Sequence, residues 1–412
     1  MKKVLMVVLI VLSLILNLVA CGQSNISTGT DVLEKDWNAI LKEAKGTTVH
    51  FYGWGGDQRI NRWIDTYLAS RLKEEYNITL NRVPMNIEDI LNNLLGEKQL
   101  NTVKGNMDIV WINGENFYTA KKNGLLFGPF TDKLPNLKKY VDTDSVEVNY
   151  DFGFPVEGYE APYGKAQLVM IYDEAKLDKV PADHKQLFAM VKNNPGQFTY
   201  PAPPDFTGSA FVRNIIYDIV GYEQFMKMEA DKETIKKEIQ PAIDYLKELK
   251  PYLWKEGKSY PATIAQLDNM YADNEVLMSM SYNPNSAEGK VQIGAFPKTT
   301  KTFVFENGTI GNTHFLAVPF NAPNKAGALA VIDFILSVEA QASKYDPKNW
   351  GDLPVLDNAK LTQKEKEMFE SIDIGGATIP QVQLLEKRVP EMPANLIPII
   401  EEIWLENIPE GE

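Results

Sequence analysis

From Thr47 onward, apolar and polar positions alternate in short runs and then switch to spacings of three and four. Thr47–Gly53, Ile78–Val83 and Met107–Ile112 read as strands. Between the first two, Ile60, Trp63, Ile64, Tyr67, Leu68 and Leu72 form one apolar stripe of a helix. Between the second and third, Ile87, Ile90, Leu91, Leu94 and Leu95 repeat the pattern behind Asn86, a candidate cap. Strands that alternate with helices in this way predict βαβ units and a mainly parallel sheet.

A second series follows. It has a strand at Gln167–Tyr172, a helix near His184–Lys192, a helix opening near Ser209 after the proline-dense "YPAPPDFTG", and a long helix at Lys232–Leu249. Val276–Pro284 reads as a strand. Lys301–Glu306 and Thr309–Phe315, joined at Asn307-Gly308, read as a hairpin. "NKAGALAVIDFILSVEAQASKY" and "PANLIPIIEEIWLENI" read as helices, and no period of tens of residues recurs, which argues against a solenoid or propeller.

The first residues differ in kind. Lys2 and Lys3 precede an apolar run from Val4 to Leu16, the pattern of an export signal. "LVACG" at 18–22 resembles the lipobox of bacterial lipoproteins. The resemblance implies a leader of residues 1–20 cut before Cys21, lipid on the Cys21 thiol, and a flexible tether over 21–36. Cys21 is the only cysteine in the chain, so no internal disulfide or cysteine zinc site is expected. Loss of Lys2 and Lys3 would take the formal charge from −13 to −15, which argues against nucleic acid as a partner. The remaining 390 or so residues exceed what one core usually supports, so about two domains are expected.

In parallel α/β sheets ligands bind beyond the carboxyl ends of strands, where loops open the next helix. Gly55 and Gly56 occupy such a position in "FYGWGGDQ", where backbone N–H groups can meet a ligand. The alternative is that the glycines only make the turn and Asp57 caps the helix. "WINGENF" (111–117), "PPDFTGSAF" (203–211) and "SYNPN" (281–285) have the same grammar of small, polar and aromatic residues at strand ends. Together they suit a cleft for a small organic solute. Gln58 stands where a dinucleotide fingerprint needs its third glycine, and Tyr252 where a P-loop ending in "EGKS" needs its first. His50, His184 and His314 show no metal spacing, and no G-x-S-x-G elbow exists. An enzyme, a metal site and a cofactor are therefore not expected.

"FYGWGGDQRINRWID", "DIVWINGENF", "FPVEGYEAPYGKAQL", "YPAPPDFTGSAF" and "NGTIGNTHFLAVPFNAPNKAGA" resemble the solute-binding proteins of bacterial ABC importers, the large two-lobed kind related to maltose-, spermidine-, iron- and thiamine-binding proteins. The resemblance implies a periplasmic-binding-protein-like type II α/β fold. Each lobe would be a mainly parallel sheet flanked by helices, with the ligand cleft between lobes. Lobe one would be 37–161 plus 312–344; lobe two, 162–311 plus 345–412. It further implies a small-molecule solute, permease and ATPase subunits as partners, and a lipid bilayer contact through Cys21, on the outer face of the bacterial cell membrane.

The expected ligand-binding residues are Trp54, Gly55, Gly56, Asp57, Asn113, Glu115, Asn116, Phe117, Tyr163, Asp205, Phe206, Thr207, Gly208, Ser209, Tyr282, Asn283, Asn312 and Trp350. Aromatic faces with Asp57, Glu115 and Asp205 suit an organic cation, since cation–π contact adds about 0.5–2 kcal/mol. A thiamine-like heteroaromatic cation is the first choice. Polyamine, carbohydrate or metal are alternatives, and a surface adhesin or extracellular hydrolase is the alternative class.

Overall fold

The computed structural model describes residues 31–409; the expected leader, Cys21 and the first part of the expected tether lie outside the described residues. Asp31–Glu34, inside the expected tether, is a four-residue helix and belongs to a unit separate from the body that begins at Asp36.

The body is built on two larger sheets and a two-stranded one of Tyr150–Asp151 and Phe154–Pro155. The strands, in chain order, are β1 (Thr48–Gly53), β2 (Thr79–Pro84), β3 (Ile109–Ile112), β4 (Leu126–Phe127), β5 (Tyr150–Asp151), β6 (Phe154–Pro155), β7 (Glu160–Gln167), β8 (Val169–Asp173), β9 (Met278–Ser281), β10 (Thr300–Phe303), β11 (Thr309–Pro319) and β12 (Arg388–Pro390). The first sheet runs β12-β11-β3-β1-β2, with β4 and β7 also on β11. β1 lies parallel to β2 and β3, as the βαβ pattern predicts, while β11 returns antiparallel to β3. The second sheet, β10-β8-β9, is antiparallel in both pairings, which corrects the expectation of a mainly parallel sheet on this side.

The predicted hairpin at Asn307-Gly308 does not form. β10 pairs with β8, and β11 with β7, β12, β3 and β4. Gly308 still supplies the left-handed turn (φ +97°), but all eleven residues of β11 are buried, and a strand buried on every side must find partners beyond its sequence neighbour. β7 leads straight into β8 of the second sheet, and within the first sheet β7 and β11 run side by side from Glu160↔Ala317 to Gln167↔Gly311, with a register shift at His314/Phe315.

Helices form where the stripes predict them. The first runs unbroken from Gln58 to Tyr76, with a wider turn over Trp63–Leu68 that keeps Trp63, Ile64 and Leu68 in the core. The single helix read after Asn324 is two, Lys325–Ile335 and Val338–Tyr345, bent by 63° where Ser337 caps the second by accepting from the Ala340 N–H. The larger apolar core lies between the second sheet, the Phe206–Val220 and Lys232–Leu249 helices and the C-terminal Ile397–Asn407 helix.

Candidate functional site

The loop after β1 carries Trp54, 42% exposed, over a depression of about 430 Å³ whose other wall is Pro84 and Met85 at the end of β2 and Asp89 in the first turn of the Ile87–Gln99 helix. Gly55 and Gly56 are required by their neighbours. A Cβ on Gly56 would lie 2.3 Å from the Trp54 indole, and one on Gly55 2.6 Å from Pro84. Asp57 caps the next helix, accepting from the Arg59 N–H at 2.8 Å, and pairs with the Arg59 guanidinium at 2.9 Å. Burial pushes the Asp57 carboxyl up, but Arg59 outweighs it and holds the group below its ordinary range. Arg59, itself 4% exposed, continues to Ser286 Oγ at 3.1 Å, beyond β9 of the second sheet. Asp57 is thus both cap and the anchor of a contact between the two sheets. Asp57→Ala should lower stability by about 1–2 kcal/mol, read from a chemical denaturation midpoint; an unchanged midpoint would sink this assignment.

β3 delivers Asn113, Gly114 and Glu115. Gly114 takes φ +57°, a conformation that favours glycine, and its N–H donates to Asp151. Asn113 sits at the helix start without a side-chain cap bond. Glu115 Oε1 accepts from the Asn116 amide at 2.9 Å, whereas Oε2 is shut from solvent and meets no donor. Burial, then the nearby Glu401 and Glu391, push Glu115 up to about 7 against the pull of Arg213. Phe117 is a correction: its ring is fully buried in the first sheet's core. The position four residues into "NGENF" falls on the inner face of the helix.

From the other side comes the Phe206–Val220 helix. Asp205 caps it, its two oxygens accepting from the N–H groups of Thr207, Gly208 and Ile264. Thr207 is buried, and Gly208 is small because a Cβ would lie 2.1 Å from the Pro201 carbonyl oxygen. Phe206, 36% exposed, packs edge-on to Tyr282 and tilts against Phe152 of the β5–β6 hairpin. Ser209 Oγ donates to Glu401 and accepts from Arg213. Arg213 holds Glu391 through two bonds, at 2.9 and 3.2 Å, and the Tyr282 hydroxyl donates to the same carboxylate.

A third group gathers around β7 and β11, with Trp111 from β3 and Trp350 from the loop after the Val338–Tyr345 helix. Trp111, Tyr163, His314 and Trp350 pack ring to ring with centroids 4.9–6.0 Å apart. Trp350 is 2% and Tyr163 1% exposed, so both are built into this cluster, although the Tyr163 hydroxyl has no partner. Beneath them Asp352 pairs with Lys344 and with His314 at 2.9 Å. Asn283 ties this group to the second sheet by donating to the Trp350 carbonyl oxygen, and the Asn312 amide is buried with neither end bonded.

Sequence reasoning missed Arg59, Asp151, Arg213, Asn285, Glu391 and Glu401. Arg213 had a signal, being the only charged residue between Phe206 and Tyr217 in an apolar helix. Glu391 and Glu401 had none, because a carboxylate near a chain end reads as surface.

The sequence profile of the family described as bacterial extracellular solute-binding proteins matches residues 67–370. Protein YnjB of Escherichia coli strain K12 is 38% identical over 338 residues, covering 82% of this chain and 86% of that one. Among solved structures, this fold is similar to AfuA of Actinobacillus pleuropneumoniae, a periplasmic binding protein with fructose-6-phosphate bound (15% identity, TM-score 0.61, 88% of this chain and 98% of that one). It is similar also to PotD of Streptococcus pneumoniae, a spermidine/putrescine ABC transporter substrate-binding protein (16%, 0.59, 87% and 98%). A third is the apo ferric ion-binding protein A of Pasteurella haemolytica (12%, 0.57, 89% and 99%). At these identities the likeness shows the two-lobed type II fold.

Proposed function

Since the chain belongs to the bacterial extracellular solute-binding proteins, we propose that it is the receptor of an ABC importer, which closes its lobes on a small organic solute and hands it to a membrane permease driven by ATPase subunits. The observation that carries this reading is the set of buried polar groups without partners along the seam between the sheets. Glu115 contributes its Oε2 from the start of the Gly114–Lys122 helix, Asp151 its Oδ1 from β5, and Asn285 both ends of its amide from the loop after β9. Buried polar groups are nearly always bonded, so a cluster of exceptions at one seam suits a ligand.

In this reading the first sheet and its helices form lobe one, the second sheet and the C-terminal helix form lobe two, and β7 and β11 are crossings. A ligand that touches both lobes binds the closed form better and shifts the population to it. Lipid on Cys21 would keep the receptor close to its permease.

For the solute, an organic cation with an aromatic ring, thiamine-like, is the first choice. Phe206, Tyr282 and Trp54 offer ring faces, and the carboxylates around Glu115 outnumber the cations. A polyamine is second. The test is native mass spectrometry of the gently purified full-length protein, before and after denaturation. A stoichiometric small adduct lost on unfolding is expected. No adduct, together with no thermal shift from thiamine, spermidine or a panel of sugars, would overturn the receptor reading.

A further inference from the structure

We propose that Arg59 is a latch between the two lobes: its guanidinium plugs into a socket that exists because residue 289 is glycine, and it holds the lobes in contact with no solute needed. This rests on the two-lobe receptor reading above and adds what keeps the unloaded receptor together.

Arg59 stands in the first turn of the helix after β1, with the first sheet. Asp57 aims it: the Arg59 N–H donates to Asp57 Oδ1 at 2.8 Å and Nη2 to Asp57 Oδ2 at 2.9 Å. Nη2 also donates across the seam to Ser286 Oγ at 3.1 Å, and both residues are buried. Ser286 opens the Ser286–Gln292 helix, which follows β9 and packs against β10 of the second sheet. Gly289 lies on that helix, and a Cβ there would sit 1.7 Å from Arg59 Nη1 and 2.7 Å from the Pro347 carbonyl oxygen. The guanidinium thus fills the space of a side chain.

Gly289 takes no left-handed φ, and within a helix glycine is less favourable than alanine, so neither turn geometry nor propensity accounts for it. A surface arginine would swing clear of a methyl group. This one is held at Nη2 by both Asp57 and Ser286 and is closed off from water, so a methyl at 289 is accommodated by parting the two sides.

The latch is also incomplete. Arg59 Nη1 is shut from solvent and meets no acceptor, and a buried donor left unpaired forfeits much of what the Ser286 bond contributes. With the lobes parted, water reaches Nη1, Nη2 and Ser286 alike. This brings the two states toward balance, as a contact that opens in every transport cycle requires, and the loss of one bond is enough to tip it.

The test uses the full chain, freed of solute, with Cys21→Ser so that nitroxide labels at Glu74→Cys and Lys298→Cys are the only two. These are exposed positions beside the first and second sheets, and double electron–electron resonance reads their separation. In Gly289→Ala, which changes no charge, the ratio of the longer to the shorter distance should rise about tenfold, the shift that corresponds to losing one hydrogen bond to a charged group. Arg59→Lys keeps the charge and lacks the guanidinium fork, and should lengthen the distance likewise; it carries the test if Gly289→Ala does not fold. In an Arg59→Ala background Gly289→Ala should add nothing, because the group it displaces is gone. Gly96→Ala, with nothing within 4 Å of its new carbon, should match the parent.

Unchanged distances in Gly289→Ala and Arg59→Lys would overturn the latch. So would an equal effect of Gly289→Ala with and without Arg59, which would make the glycine a requirement of its own helix. The native-mass and thermal-shift experiment above judges the receptor reading separately. A bound solute in a protein whose distances ignore both variants removes the latch and leaves the receptor; the expected opening without any solute leaves the latch and removes the receptor.

Discussion

Replacing Arg213 with leucine is expected to lower the unfolding free energy by about 3–5 kcal/mol, the range for breaking a buried ion pair from one side. Arg213 is 1% and Glu391 6% exposed, so the glutamate cannot turn to water when its partner goes. It keeps only the Tyr282 hydroxyl and the Met392 N–H, and Ser209 loses one of its two partners. The control is the double variant Arg213→Leu with Glu391→Met. It removes both charges, and apolar replacement of a buried pair is often close to neutral. Urea denaturation of parent, single and double variants checks this: a single variant within 1 kcal/mol of the parent, on that same scale, would show that the pair does not bind this helix to the C-terminal segment.

Gly164→Ala is the second change expected to be severe. The added methyl carbon would lie 2.0 Å from Asp352 Oδ2, 2.4 Å from His314 Nε2 and 2.7 Å from Lys344 Nζ. Burial pushes the Asp352 carboxyl up, but His314 and Lys344 outweigh it and hold it below its ordinary range. Lys344, 0% exposed, is pushed down by burial and held partly up by Asp352. A methyl in the middle separates groups that have nowhere else to go, at a cost of about 3–5 kcal/mol. Gly96→Ala is the contrast. It sits within the Ile87–Gln99 helix with nothing within 4 Å of the new carbon, and should be neutral or raise stability by up to about 1 kcal/mol. Calorimetric melting of the two variants should separate them clearly, and equal melting points would remove the crowding argument.

The elements of the fold could be read from the sequence because their signals are local. The Lys232–Leu249 helix was bounded to the residue, and β1 and β2 to within one, since stripes and caps act over a few positions. Pairing was less accessible. The Asn307-Gly308 turn is a true turn, but which strands flank it depends on β7, well over a hundred residues upstream. The candidate site shows the same division. Asn113-Gly114-Glu115 was visible as a loop after a strand, whereas Glu391 becomes part of the site only because Arg213 reaches it across 178 positions of sequence. At Asp205 and Phe117, type and neighbourhood do not say whether a carboxylate meets backbone N–H groups, or which face of a helix a ring takes.

β11 also constrains the order of events at birth. The central strand of the first sheet is supplied about two hundred residues after β3, the neighbour it pairs with at Phe315↔Ile112. Until that late segment emerges, the nascent β1-β2-β3 ribbon carries a raw edge and an uncovered apolar face, and cannot settle. For a chain of an extracellular solute-binding family such late closure suits export, since the sheet is complete only once β11, and after it β12, has emerged.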